Sequence, residues 1–499
     1  MQTRSRSDEA VESAIVSTCH LPLLKLLPAL LTWTHWCYKT NLVLAALLVA
    51  LCQASQAQDF DLAPPDALPP ASILAGGPTT LFQNVRIFDG KSAILSAPSN
   101  VLVRNHVIER ISVNPITVDP NADVTVIAGS GHVLMPGLID AHWHSFMAGT
   151  PRMLLMTSTP DYLLLIAARQ AQLTLMQGFT TVRDLGGPVF GLKRAIDEGV
   201  EVGPRIYPSG AMISQTSGHG DFRFSFELPR TLGGPLSRSE VEGIAAIADS
   251  PDEVRLRTRE QLRLGASQIK LMGGGGVSSE NNPIRSVQFT EPEIRAAVEA
   301  AENWGTYVAI HAYTPRAIRQ AIAAGVKCIE HGQLIDEPTV QLMAEKGIWW
   351  SLQPLLDDED MAPMDPAMRK RALEVFAGTD NAYKLARKYK VKVAFGADIL
   401  FSPRVAGTRH GAELTKLLRW YPPAEILKMA TADNGELMAL SGLINPYPGR
   451  LGTVEEGAFA DLLLVDGNPL ENIKLIEDPG KNFLLIMKDG TIYKNALPK

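Results

Sequence analysis

MPGLIDAHWHSF, Met135 to Phe146, is the stretch whose reading decides the fold. Side chains along a strand alternate between two faces, so Asp140, His142 and His144 all point the same way. The residues before them, Val133, Leu134, Leu138 and Ile139, are apolar enough to be buried. Two imidazoles two residues apart at a strand end can grip one metal ion. A His-x-His by itself also arises by chance and sits in solvent, so the rest of the chain must decide.

Downstream, apolar runs alternate with helical patterns. Runs at 133–142, 179–184, 203–209, 267–272, 307–312, 328–332, 348–354 and 392–398 read as strands. Ser250-Pro251-Asp252-Glu253 and Thr290-Glu291-Pro292-Glu293 read as helix starts, each a cap followed by glutamate with proline in the first turn. Eight strands, seven intervening helical stretches and a last helix near 423–440 predict an α/β protein built as a (β/α)8, TIM-like barrel. The alternative is an open doubly wound sheet, but no glycine-rich dinucleotide fingerprint follows an early strand.

Strand patterns without helices flank this region. Before it lie 80–88 (TLFQNVRIF), 100–104, 107–112 and 124–128; after Gly442 come 462–465, 483–488 and 491–493. They predict a small β-sandwich domain formed from both chain ends. The expected organisation is a leader over 1–57, a linker arm over 58–78, the first part of the β-domain over 79–132, the barrel over 133–441 and the second part of the β-domain over 442–499.

At 499 residues with a formal charge of −6, the chain has no long basic run and no electrostatic footprint for nucleic acid. Three of its four cysteines (Cys19, Cys37, Cys52) fall in the leader and leave Cys328 alone, which excludes a disulfide framework once the leader is removed. Asn41 to Leu51 (NLVLAALLVAL) has the length of a signal-peptide core, follows Lys39 and precedes the small-x-small site Ser55-Gln56-Ala57. It falls short of the ~20 residues that a membrane-spanning helix needs. Export, periplasmic or secreted, with cleavage near Ala57 and no stable membrane span in the mature chain, is the expectation; an uncleaved anchor is the alternative. No methionine occurs between Met1 and Met135, and one reading starts translation nearer residue 40.

Active sites of such barrels lie at the C-terminal ends of the strands. His142 and His144 end the first expected strand, Lys270 the fourth, His311 the fifth, His331 the sixth and Asp398 the eighth. Four of the chain's ten histidines are in this set, a concentration that random placement rarely produces. With these residues, PGLIDAHWH and the segment GRLGTVEEGAFADLLLVDGNP (Gly449 to Pro469), the chain resembles the binuclear-metal branch of the amidohydrolase superfamily over roughly residues 79–495. The resemblance implies two divalent ions, with zinc the first expectation. His142, His144 and Asp398 would hold one, His311 and His331 the other, and Lys270, carboxylated on its amine, would bridge both. A bridging hydroxide would attack the substrate carbonyl, and Asp398 would move the proton to the departing nitrogen.

Around that set, Asp140 shares the strand face of the histidines and could orient a ligand imidazole; a turn contact is the alternative. His219, in SQTSGHGDFR (Ser214 to Arg223), could bind a substrate carbonyl or carboxylate, or simply be exposed. Tyr313 could stabilise an oxyanion, or pack. Gly273 to Gly276 would let the backbone approach a ligand or form a flexible lid. His410 has no assigned role. HAYTP (His311 to Pro315), the GHG at 218–220 and the glycine run look most like prolidase-like dipeptidases and ochratoxin-hydrolysing amidases. The resemblance therefore implies an exported dipeptidase or amidase acting on a small-molecule or dipeptide substrate, and homo-oligomers are common in that group. A lactonase or phosphotriester hydrolase would use the same ligands. A deaminase would carry glutamate where Thr314 stands. A non-catalytic relative would have lost ligands, and this chain retains all six.

Overall fold

The computed structural model describes residues 78–119, 123–231, 234–279 and 282–497. The leader, its three cysteines and all but the last residue of the arm therefore lie outside the described residues. In chain order the strands are β1 (Thr79–Ile87), β2 (Ser99–Arg104), β3 (Val107–Ser112), β4 (Val124–Ala128), β5 (Val133–Pro136) and β6 (Leu138–Trp143). They continue with β7 (Phe179–Asp184), β8 (Arg205–Pro208), β9 (Met212–Ser214), β10 (Ala245–Ile247), β11 (Ile269–Met272) and β12 (Val308–Ala312). The last six are β13 (Cys328–His331), β14 (Trp349–Leu352), β15 (Val393–Phe395), β16 (Leu462–Val465), β17 (Phe483–Lys488) and β18 (Thr491–Asn495).

The run expected as one strand over 133–142 is two, and Gly137 divides them. A Cβ there would meet the Thr180 hydroxyl oxygen at 2.1 Å, and the Gly137 N–H donates to the Asp461 carbonyl at 2.8 Å. β5 consequently joins a mixed sheet in the order β18-β17-β16-β5-β1-β2-β3, with β4 also paired to β1. Strands from both ends of the chain meet there: β16 runs antiparallel to β5, with Leu464 opposite Leu134. Phe82, Val101, Leu134, Leu462 and Leu485 form the buried cluster of this sheet.

β6 opens the parallel part of the molecule, in which every strand is buried on both faces, the pattern of strands covered by helices. Two parallel sheets carry it, β6-β7-β8 and β10-β9-β11-β12-β13-β14-β15. Single main-chain bonds link their edges: Ser267 N–H to the Pro208 carbonyl at 2.7 Å, and Asp398 N–H to the His142 carbonyl at 2.9 Å. Asn434 adds a side-chain link, its amide donating to the Ile139 carbonyl at 2.7 Å and the Phe395 carbonyl at 2.8 Å. Phe179, Ile269, Ile310, Trp350 and Phe395 belong to the large core between strands and helices, where each buried side chain of this size contributes about 1.5–3 kcal/mol.

The helix starts follow their sequence signals. Ser250 caps the helix Pro251–Leu264 by accepting the Glu253 N–H, and Gly265 ends it at φ 103°. Thr290 and Glu293 form a reciprocal capping box on the helix Glu291–Glu302. Two departures stand out. The short parallel pair β9 and β10 lies between the third and fourth expected strands, and the run near 423–440 is not one α-helix but contains a π-helical segment, Met429–Asp433. That extra width in the turn precedes Asn434, whose amide reaches two strands at once. Among the described residues, no helix is long and apolar enough to cross a membrane.

Candidate metal centre

All eight side chains singled out as metal ligands or substrate contacts, His142, His144, His219, Lys270, His311, Tyr313, His331 and Asp398, line one cavity of about 890 Å³. Six of them come directly from β6, β11, β12 and β13 or the residue after. Asp398 follows β15 by three residues. The parallel register explains the convergence: Lys270 lies opposite Ala309, Met272 opposite His311, and Ala312 opposite His331.

The geometry is that of a coordination site. Asp398 Oδ1 lies 3.5 Å from His142 Nε2 and 3.5 Å from His144 Nε2, while Asp398 Oδ2 lies 3.8 Å from His331 Nδ1. Ligand atoms of His142, His331 and Asp398 all fall within 4.8 Å of one another. The rings of His311 and His331 are 4.4 Å apart. Two buried atoms in the centre, His331 Nδ1 and Asp398 Oδ1, have no hydrogen-bond partner among the described residues. A buried lone pair left unpaired costs roughly 1–3 kcal/mol, and a cation removes that cost. The donor set therefore fits a metal.

Backbone conformation supports the same reading. His331 and Asp398 adopt φ values of 76° and 49°, in the left-handed region that non-glycine residues avoid. Such strain persists only where the surroundings enforce it. Gly332 continues the bend at φ 82°, and a Cβ there would strike the Trp350 indole nitrogen at 2.7 Å.

Burial decides the charge states. His142, His311 and His331 are held well below the ordinary imidazole value, first by loss of solvent and then by neighbouring positive groups, Lys270 among them. They are thus neutral, the form that binds metal. Burial also holds the Lys270 amine below its ordinary value, while Glu330 and Asp398 pull it back up. The outer ring nitrogens are occupied: His144 Nδ1 sits 3.3 Å from the Gly186 carbonyl, and His311 Nε2 sits 2.9 Å from the Gly275 carbonyl. Each of those contacts leaves the other nitrogen for an ion.

The remaining candidates divide. His219 is buried rather than exposed; burial pushes it down to about 3, and its Nδ1 lies 2.8 Å from the Ser279 hydroxyl. Its ring lies 4.4 Å from that of His311. The Tyr313 ring is 4.8 Å from His311 and 5.3 Å from His331, and burial raises its phenol. Asp140 does not touch an imidazole of the ligand set. It accepts the His142 main-chain N–H at 2.8 Å and the Ala397 N–H at 3.2 Å, so it aligns backbone on both sides of the centre. The glycine run makes room for protein, not for a lid: a Cβ at Gly275 would meet the Pro283 carbonyl at 1.9 Å, and one at Gly276 the His219 ring at 1.9 Å.

Three residues escaped the sequence reading. Glu330 Oε2 lies 2.8 Å from His142 Nδ1, and Arg183 Nη2 donates to Glu330 Oε1 at 2.7 Å. His410 Nε2 meets Asp140 Oδ2 at 2.6 Å, with its ring stacked 3.5 Å from Phe179 and 4.6 Å from Trp143. Glu330 and Arg183 left a trace, since a charged residue inside a wholly buried strand must find a partner. His410 left none.

A model described as the amidohydrolase family matches residues 133–493. The ochratoxinase of Aspergillus niger is 32% identical over 381 residues, covering 72% of this chain and 76% of its own. The chain is also similar to the crystal structure of a prolidase complexed with N-methylphosphonate-L-proline, at 32% identity and a TM-score of 0.76 over 84% of this chain and 100% of that one. The crystal structure of A. niger ochratoxinase gives 28% identity and a TM-score of 0.72 over 84% and 96% of the two chains.

Proposed function

The chain belongs to the amidohydrolase family, and from that premise we propose that it is an exported, metal-dependent enzyme that cleaves the amide bond of N-acyl amino acids, dipeptides or ochratoxin-like aryl amides. It is a hydrolase acting on carbon–nitrogen bonds. The observation that carries the finer reading is the convergence of six ligand-type side chains, His219 and Tyr313 on one cavity. His142, His144 and Asp398 would hold one divalent ion and His311 and His331 the other, with Lys270 bridging as a carbamate and zinc as the metal. When bound, the ions supply Lewis acidity toward the scissile carbonyl and lower the pKa of water.

The chain's own residues do the rest. The buried Lys270 amine loses its proton more readily than a solvated lysine, and the neutral amine is the form that takes up carbon dioxide. Asp398 takes the proton of the attacking water and hands it to the departing nitrogen. Tyr313, kept protonated by burial, donates to the oxyanion. His219 is neutral at pH 7, and the nitrogen not engaged with Ser279 meets the substrate carbonyl or carboxylate. Eight of the chain's 15 methionines line the cavity, together with Phe222 and Phe224. Such deformable, polarisable walls suit a large apolar group beside the amide.

The same reading takes the parallel strands as a closed (β/α)8 barrel over 133–441 and the mixed sheet as a β-sandwich split between 79–132 and 442–499. It takes the first 57 residues as a removable export signal and the enzyme as a homo-oligomer. The test is a panel of N-acyl amino acids, dipeptides, lactones and phosphotriesters offered to purified, metal-replete protein. Cleavage of amides with bulky apolar acyl or side-chain groups is the expected result. Turnover of lactones or phosphotriesters with every amide untouched would overturn the reaction class.

A further inference from the structure

His142 differs from the other histidines of the centre in what its outer nitrogen meets. The outer nitrogens of His144 and His311 face main-chain carbonyls. His142 Nδ1 instead meets a carboxylate, Glu330 Oε2, at 2.8 Å. Both side chains are essentially without solvent contact, at 1% and 0% exposure. The other oxygen, Glu330 Oε1, accepts from Arg183 Nη2 at 2.7 Å in a wholly buried ion pair. A carboxylate gripped by a guanidinium accepts rather than donates, so the proton of His142 sits on Nδ1 and the lone pair on Nε2, the atom 3.5 Å from Asp398. Gln353 Nε2 also approaches Nδ1, at 3.2 Å, but has the Ser351 carbonyl at 3.0 Å as an acceptor.

Arg183 holds the arrangement together. Its Nη2 pairs with Glu330, its Nη1 donates to the Tyr307 hydroxyl at 3.1 Å, and its Nε donates to the carbonyl of Ala141 at 2.6 Å, the residue before His142. One guanidinium thus grips both the carboxylate behind the imidazole and the strand that carries it. We propose that Glu330, clamped by Arg183, is a positioning residue that fixes His142 as an Nε2 donor and sets the affinity of the metal site that His142 serves. The proposal rests on the reading of His142 as a ligand. A carboxylate behind an imidazole makes the ring a stronger donor than a carbonyl does, and loss of such partners typically costs 10–100-fold in metal affinity.

The experiment compares the full chain with its Glu330→Gln and Glu330→Asp variants. Each is stripped with a chelator, then titrated with Zn²⁺ against a chromophoric competitor and with Co²⁺ by visible absorption, while the melting point of the stripped protein is followed. In Glu330→Gln the amide oxygen satisfies Arg183 and its NH₂ faces Nδ1, which drives the imidazole proton onto Nε2. Glu330→Asp keeps the charge for Arg183 but withdraws the oxygen from the ring, and so separates positioning from folding. The expected result is one of two sites weakened roughly 10–100-fold in Glu330→Gln and severalfold in Glu330→Asp, with an altered Co²⁺ spectrum. Both variants binding two ions within about twofold of the parent would overturn the proposal, and so would an affinity loss in Glu330→Gln that Glu330→Asp fully restores. A parent chain that binds no Zn²⁺ or Co²⁺ at all would instead overturn the metal reading beneath it.

Discussion

Lys270 sits at 1% exposure, its amine deprived of solvent and facing the same cavity as five histidines. A lysine so placed serves either as a misplaced cation or as a group meant to lose its charge, and only the second explains its company. Lys270→Ala is expected to abolish amide hydrolysis and binding of the ion pair; near-normal rates with two ions retained by elemental analysis would refute the bridging role. His410 makes the opposite kind of prediction. Its partner Asp140 is fully buried, and His410→Ala would leave that carboxylate facing an empty slot between Phe179 and Trp143. Removing one partner of a buried hydrogen bond costs about 1–3 kcal/mol. Chemical denaturation should record a loss of that size, and a loss below about 1 kcal/mol, the scale of a solvent-exposed pair, would mean that the contact is incidental. The six ligand-type residues are legible in the sequence because each closes an apolar run that must be a strand. His410 is not, because its meaning comes from a residue 270 positions away.

At the scale of elements, the spacing of two strands decides whether a site exists. Gly396 lies directly beside His142: a Cβ there would fall 2.4 Å from the His142 Cβ and 2.8 Å from its main-chain nitrogen. Gly396→Ala must therefore push the segment carrying Asp398 away from β6. Bound metal and activity should fall together while the far-ultraviolet circular dichroism persists, and unchanged metal content would show that the strands can separate harmlessly. Above the cavity, the loop after β14 is tied to the helix Pro403–Thr408 and to the residue that follows it. Asp360 accepts from Arg404 at 3.1 Å and from Arg409 at 2.8 Å. Burial works to raise its carboxyl, but the hydrogen bond from Arg409 and the charge of Lys416 hold it below its ordinary value of 3.8. A depressed carboxyl contributes stability that is complete above that ordinary value and is lost as the pH falls through the lower, folded-state value. Asp360→Asn should thus flatten the acid limb of the melting-point profile below pH ~4; an acid limb as steep as that of the parent would contradict it. The N-cap at Ser250 and the capping box at Thr290 are readable because their signal is local. The three-residue strands β9 and β10 and the π-helical turn before Asn434 are not, because neither spans enough residues to set up a period.

Across the whole molecule, the buried ligand set and the two-ended sheet bear on one question, namely how much of the stability belongs to the metal. β5 leaves the mixed sheet at Pro136, and two residues later β6 begins the approach to His142, so the ligand strand is anchored by pairing with β16 near the other end of the chain. That anchoring means the centre does not depend on an ion to bring its strands together. Patterning at both ends reveals these strands but not Gly137, whose break follows from crowding by Thr180. The centre itself is different. Neutral imidazoles, an Asp398 oxygen and a His331 nitrogen without a partner among the described residues converge on one cavity, and an ion would remove the cost of leaving them unpaired. The unfolded chain scatters these ligands over residues 142 to 398 and offers no comparable site. A ligand that binds only the folded form stabilises it by about 4.1 kcal/mol at a thousandfold excess over its dissociation constant. Chelation should therefore leave a folded protein with near-native circular dichroism but a melting point several degrees lower. Zn²⁺, Mn²⁺ or Co²⁺ should restore it, whereas Mg²⁺, which prefers all-oxygen ligands, should not. Calorimetry before and after metal removal decides the matter: identical melting points would mean that the cluster is not a metal site, and collapse of all structure on chelation would mean that the sheet from the two chain ends does not hold the ligand strand in place.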